Sequence, residues 1–96
     1  PRARAPASAA SGARVDPSEQ RARDQDAKRI LLEELRREEE RLQQLQGEYN
    51  NGEPERRGDE RNYQRYLDRV AEMKAAIQRK EADIAALRRE LAKFGP

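Results

Sequence analysis

The chain has 96 residues, 42% of them charged and only 34% hydrophobic, which allows one domain at most and is thin for a globular core. Its 21 basic and 19 acidic residues leave a net charge of +2, too balanced to imply nucleic acid by itself. With no cysteine and no histidine, the usual zinc, haem, iron–sulfur and thiol sites and a Ser-His-Asp triad cannot be built.

The first fifteen residues hold Pro1, Pro6, Ser8, Ser11, Gly12 and several alanines, with almost nothing to bury. They read as a flexible linker or tail, made basic by Arg2, Arg4 and Arg14. A chain that begins at Pro1 is expected to be a processed or excised piece of something longer, with any targeting segment outside it.

Asp16-Pro17-Ser18-Glu19 is a helix start: Asp16 can accept from free N–H groups, Pro17 suits the first helical position, and Glu19 follows three residues after the cap. The first helix is expected over about residues 17–49, with the stripe Leu31, Leu35, Leu42, Leu45 and Tyr49 interrupted by Glu38. Asn50-Asn51-Gly52-Glu53-Pro54 is the strongest break in the chain, since Asn-Gly favours positive φ and Pro54 cannot simply continue a helix. The loop is expected to run to about Gly58, with Asp59 as the next cap.

The second helix, expected over about residues 59–94, carries the more regular pattern. Its heptad positions are Tyr63, Tyr66, Val70, Met73, Ile77, Lys80, Ile84, Leu87, Leu91 and Phe94, with Lys80 the one polar exception. A stripe of this kind must pack on another helix to leave water. Such positions also suit a parallel dimer of this helix alone. The charge split favours a fold-back instead: residues 16–49 are net −3 and residues 59–96 net +2. The fold class expected is therefore all-α, with residues 16–96 as an antiparallel coiled-coil hairpin behind a disordered tail.

Matching the stripes with Tyr49 against Tyr66 gives the layers Leu45/Val70, Leu42/Met73, Glu38/Ile77, Leu35/Lys80 and Leu31/Ile84. This register places the two seam defects in neighbouring layers and predicts a Glu38–Lys80 contact, with Glu48/Arg69 and Glu39/Lys74 as flanking pairs. Such exposed pairs contribute about 0–1 kcal/mol each, so their value is in choosing a register.

The motifs of small-molecule chemistry are missing: there is no phosphate loop, no dinucleotide fingerprint and no Glu-x-x-His. Glu38-Glu39-Glu40 splay around a helix axis instead of converging. No catalytic, cofactor-binding or metal-ligating residue is assigned, no cofactor or small-molecule substrate is expected, and an enzyme is not the reading. No apolar run approaches the roughly 18–20 residues that cross a bilayer, and the stripe is too narrow for a membrane-surface helix. Arg56, Arg57, Arg61, Arg65 and Arg69 stand where a basic zipper keeps its DNA-contacting region, which makes nucleic-acid binding the alternative. Asp59, Glu60 and Asp68 among them, and Gly58 before them, argue against it.

Ile30-Leu31-Leu32-Glu33-Glu34-Leu35, Glu60-Arg61-Asn62-Tyr63-Gln64-Arg65-Tyr66-Leu67-Asp68-Arg69 and the closing Ile84–Leu91 resemble the C-terminal helical region of uncharacterised proteobacterial secreted proteins with a small N-terminal domain of unknown function. The similarity covers roughly residues 15–93, departs at the Asn50–Pro54 loop, and lacks that N-terminal domain. The resemblance implies a periplasmic or envelope-associated protein and transfers no catalytic residues. The functional expectation is an interaction or assembly module that docks on a protein partner or self-associates. Asn62, Tyr63, Tyr66 and Arg69 are its candidate binding surface, because aromatic and Arg side chains anchor interfaces. The competing expectation is that the tyrosines close the hairpin's end against Tyr49.

Overall fold

The computed structural model describes residues 16–58, 60 and 62–95. Helix α1 spans Pro17–Tyr49, a short 3₁₀ turn covers Asn50–Gly52, and helix α2 spans Tyr63–Ala92. The two helices pack against one another as an antiparallel hairpin, and no strand occurs among the described residues. The tail expected over residues 1–15 lies outside the described residues.

Helix α1 is built from strong helix formers, with Pro17 in its first turn. Asp16 differs from its expected role. Its carbonyl accepts from the Gln20 amide at 2.9 Å, but its carboxylate makes no cap bond and takes the Ser18 hydroxyl instead. The helix stops because Asn50 and Asn51 turn left-handed at φ of 49° and 56°, a region that asparagine tolerates better than most residues. Gly52 follows at φ 91°, and a Cβ there would stand 3.5 Å from the Tyr49 hydroxyl, so the tyrosine lies over the turn.

Helix α2 starts later than expected. Asn62 is its cap, with its side-chain oxygen accepting from the Gln64 amide at 2.9 Å. Asp59, the cap expected from sequence, lies outside the described residues. The connection from Asn50 to Asn62 is consequently longer than the nine-residue loop of the sequence reading. At the other end the helix closes at Ala92, and Gly95 turns left-handed at φ 78°.

The seam is thin. Ile84 is 4% exposed and Ile77 9% exposed, and α1 buries no residue fully. Leu31, Leu35, Leu42, Leu45, Tyr49, Val70, Met73, Leu87 and Leu91 are all half-buried along it. That is the geometry of two cylinders meeting on one line, where each apolar side chain keeps an open flank.

The register differs from the sequence reading by about one heptad. Tyr49 shares a groove with Lys74, Ile77 and Gln78, not with Tyr66. Leu45 stands beside Met73, Ala76 and Lys80, Glu38 beside Leu87, and Phe94 reaches the first turns of α1 at Asp24–Lys28. The expected flanking pairs are accordingly replaced, with Glu39 bonding Arg88 at 2.8 Å and Arg69 bonding Glu60. The physical reason is the repeat itself: a slip of seven residues returns the same apolar faces to one another. The connection breaks the tie by folding back along the first turns of α2 and covering them in place of α1.

Candidate functional site

At the closed end of the hairpin, the connection and the first turns of α2 build a polar cap. Its hub is Arg69. The guanidinium grips the Glu60 carboxylate with both arms, Nε to Oε2 at 2.6 Å and Nη2 to Oε1 at 3.0 Å. Nη2 also donates to the Glu55 carbonyl at 2.5 Å, and Nη1 reaches the Met73 sulfur at 3.4 Å. Glu60 is 9% exposed, a carboxylate that burial alone would disfavour. It stays charged because the Arg69 hydrogen bond and then the Arg57 amide, donating to Oε1 at 2.7 Å, hold its pKa down to about 2 from an ordinary 4.5.

Two aromatic rings complete the cap. The Tyr63 and Tyr66 rings stack with centroids 5.8 Å apart at 21°. Arg56 lies over both, 5.4 Å from each ring centre, and donates to the Glu60 carbonyl at 3.1 Å. The Tyr66 hydroxyl donates to the Pro54 carbonyl at 2.6 Å, while Arg69 covers the ring at 5.7 Å. Pro54 is buried beneath this set.

Of the four residues the sequence singled out, Asn62, Tyr66 and Arg69 have structural duties here. Asn62 caps α2, Tyr66 ties the loop to the helix, and Arg69 holds the loop's carboxylate. Tyr63 is different. It is 58% exposed, and Leu67, one helical turn on, is 41% exposed. The tyrosines close against Pro54 and Arg56, not against Tyr49. From sequence, Arg56 reads as part of the basic run and Glu60 as one of the acids interrupting it, and neither is assigned to a cap. The spacing of nine residues between Glu60 and Arg69 carries no periodic signal, since the chain between them is not all helix.

A second polar feature interrupts the seam. Lys80 Nζ and Glu38 Oε2 are 2.7 Å apart with their side chains 18% and 21% exposed. The contact is Coulombic, because no aligned hydrogen bond reaches the buried Glu38 Oε2. Three further carboxylates, Glu34, Asp83 and Glu90, line the same groove as Glu38, with Arg89 beside them.

Among the described residues no group of side chains is arranged to hold a metal ion, and no helix is long and apolar enough to cross a membrane. Arg56 and Arg69 of the basic run are turned onto tyrosine rings and Glu60, and Arg61 lies outside the described residues. The remaining surface is marked by exposed apolar groups: Ile30 at 56% and Leu32 at 48% near the open end, with Tyr63 and Leu67 near the cap. The chain matches no protein-family model, no curated protein and no solved structure.

Proposed function

We propose that this chain is a non-enzymatic interaction or assembly module, a helical hairpin that binds another protein surface through its open flanks. The observation that carries this reading is the contrast in burial. Among the described residues, Ile77 and Ile84 are the apolar side chains buried fully along the seam, while Ile30, Leu32, Tyr63 and Leu67 stay 41–58% exposed. A two-helix unit of this size is marginal by itself, and covering these groups adds about 25 cal/mol for each Å² of apolar surface removed from water. The cap supports the same reading by making the loop rigid, since an ordered end loses less entropy on docking. From the resemblance, the setting proposed is the periplasm or cell envelope.

The test is the state of the isolated chain. Light scattering combined with circular dichroism on heating is expected to show either self-association or a helical monomer that melts at low temperature and is stabilised by a partner. A monodisperse, fully helical monomer that resists heating, and takes up no partner in a pull-down from the native envelope, would sink the reading.

A further inference from the structure

We infer that the connection is a register lock, and that α2 has a second stable alignment on α1, one heptad away, once Arg69 lets go of Glu60 and Tyr66 of Pro54. The inference concerns a single chain and does not depend on the proposed partner.

The seam puts the two alignments on nearly equal footing. As observed, about one heptad from the alignment read off the sequence, Tyr49 stands level with Met73, Leu45 with Ile77, Leu35 with Leu87 and Leu31 with Leu91. Two further layers are mixed, Leu42 with Lys80 and Glu38 with Ile84. Sliding α2 by one heptad toward the open end pairs Tyr49 with Tyr66, Leu45 with Val70, Leu42 with Met73 and Leu31 with Ile84. The mixed layers become Leu35 with Lys80 and Glu38 with Ile77. Either way the seam holds four apolar layers and two mixed ones. Glu38 and Lys80 stay in neighbouring layers throughout, so their 2.7 Å contact is reachable from both alignments. The ends trade: the slide covers Tyr66 and Val70, now half-buried, and leaves Leu87 opposite Lys28 and Leu91 opposite Asp24.

The cap is what the slide must undo. In the slipped alignment Tyr66 packs on Tyr49. As observed it packs on the connection, its hydroxyl on the Pro54 carbonyl at 2.6 Å and its ring under Arg69 at 5.7 Å. It cannot do both. Arg69 adds two bonds to Glu60 and one to the Glu55 carbonyl, all of them to the connection. One exposed pair on the seam's flank favours the same alignment, since Glu39 meets Arg88 as observed and would stand against Glu81 after the slide.

A slide of one heptad moves α2 by about 10 Å, at about 1.5 Å per residue, and parts Arg56 and Glu60 from Tyr66 and Arg69. The closed end then shows a different surface. Any molecule that binds one alignment better than the other shifts the population toward it, which makes the connection a control point for recognition.

Because the chain has no cysteine, spin labels at Glu33→Cys on α1 and Ala71→Cys on α2 read the alignment in the full chain. Both positions are exposed and lie off the seam and the cap. Along the axis they stand about 27 Å apart as observed and about 17 Å apart after the slide, at about 1.5 Å per residue. Dipolar distance measurement in excess unlabelled chain, so that only intramolecular distances count, is expected to give the longer distance when the cap is intact. Glu60→Ala with Tyr66→Phe should shift the equilibrium toward the shorter distance by about tenfold or more. Adding Glu81→Lys, which gives Glu39 a partner in the slipped alignment, should raise the shorter component further. An unlocked variant that keeps only the longer distance overturns the inference. Loss of helicity on unlocking overturns it too, because the seam would then have no second alignment to fall into. So does a shorter component that Glu81→Lys leaves unchanged, since that distance would not come from a slide of one heptad.

Discussion

The seam joins the two helices and the cap ties the connection onto α2, and they do so by different means. Along the seam, contact is apolar, periodic and shallow, and only Ile77 and Ile84 leave water almost completely. At the cap it is polar, aperiodic and dense, with one guanidinium serving two carboxylate oxygens and a backbone carbonyl. Periodic contact is tolerant: it can slide by a heptad and lose little. Hydrogen bonding at fixed spacing cannot slide at all. The seam thus supplies most of the burial, and the cap decides which residues face which.

The largest effect expected is at the centre of the seam. Ile84→Ala removes the more buried of the two seam isoleucines, at 4% exposed, and substitutions of this kind cost about 2–5 kcal/mol. In a marginal hairpin that is enough to unfold a large fraction of the chain at room temperature, read as lost helical signal. Ile77→Ala should cost less, since its side chain is 9% exposed against 4% at Ile84. Equal losses at the two positions would show that the seam is not graded as its burial suggests.

Next comes the polar interruption. Lys80→Met leaves the Glu38 carboxylate facing apolar neighbours with Glu34 and Asp83 close by, and should destabilise by about 1–2 kcal/mol. Replacing both partners, Glu38→Leu with Lys80→Leu, should recover that loss or exceed it, because a well-packed apolar pair often outperforms a partly buried ion pair. If the double variant is the worse of the two, the pair is contributing stability and not register. The expected price of the apolar version is a less unique alignment, visible as broadened amide resonances in α1.

What the sequence could reveal follows from the same contrast. The helices, their polarity and the Asn50–Gly52 break were legible because each rests on local chemistry: periodic leucines, a left-handed Asn pair, a glycine. The phase of the seam was legible too, since it depends only on which positions are apolar. The slip along the seam was not, for a heptad pattern is degenerate under a shift of seven. Glu38 and Lys80 illustrate the point. They stand in adjacent layers in both registers, so their 2.7 Å contact is compatible with either and could not choose between them. The choice was made by Glu60 and Pro54, whose partners Arg69 and Tyr66 lie across an irregular segment that no periodicity reaches.

The cap can be loosened without touching the seam. Glu60 titrates at about 2 when folded, below its ordinary 4.5, so the folded state binds its proton less readily than the unfolded one. Its contribution is therefore fully present above about pH 4.5 and is lost as pH falls through about 2. Hydrogen exchange at the cap amides, Arg57 and Gln64 among them, should accelerate across that window before the Ile84 region does. The variant Glu60→Gln, which keeps the shape and removes the charge, should abolish the extra acid sensitivity. If the acid response of the cap persists in Glu60→Gln, another carboxylate is responsible for it.

The smallest effect on stability is expected at Tyr63. Its ring is 58% exposed and its contacts are the stack with Tyr66 and the Arg56 guanidinium, both available to solvent on one side. Tyr63→Ala should therefore change unfolding by no more than about 0.5 kcal/mol, the range of ordinary surface substitutions. Tyr66→Phe should cost more, about 1 kcal/mol, through the lost bond to the Pro54 carbonyl, although it removes a single oxygen. The comparison separates two uses of adjacent tyrosines. A Tyr63→Ala variant that keeps its helicity but loses association identifies an aromatic kept at the surface for contact with another molecule. Equal losses of stability from both substitutions would make Tyr63 a part of the cap, and would leave Leu67 as the apolar group at this end with no internal role.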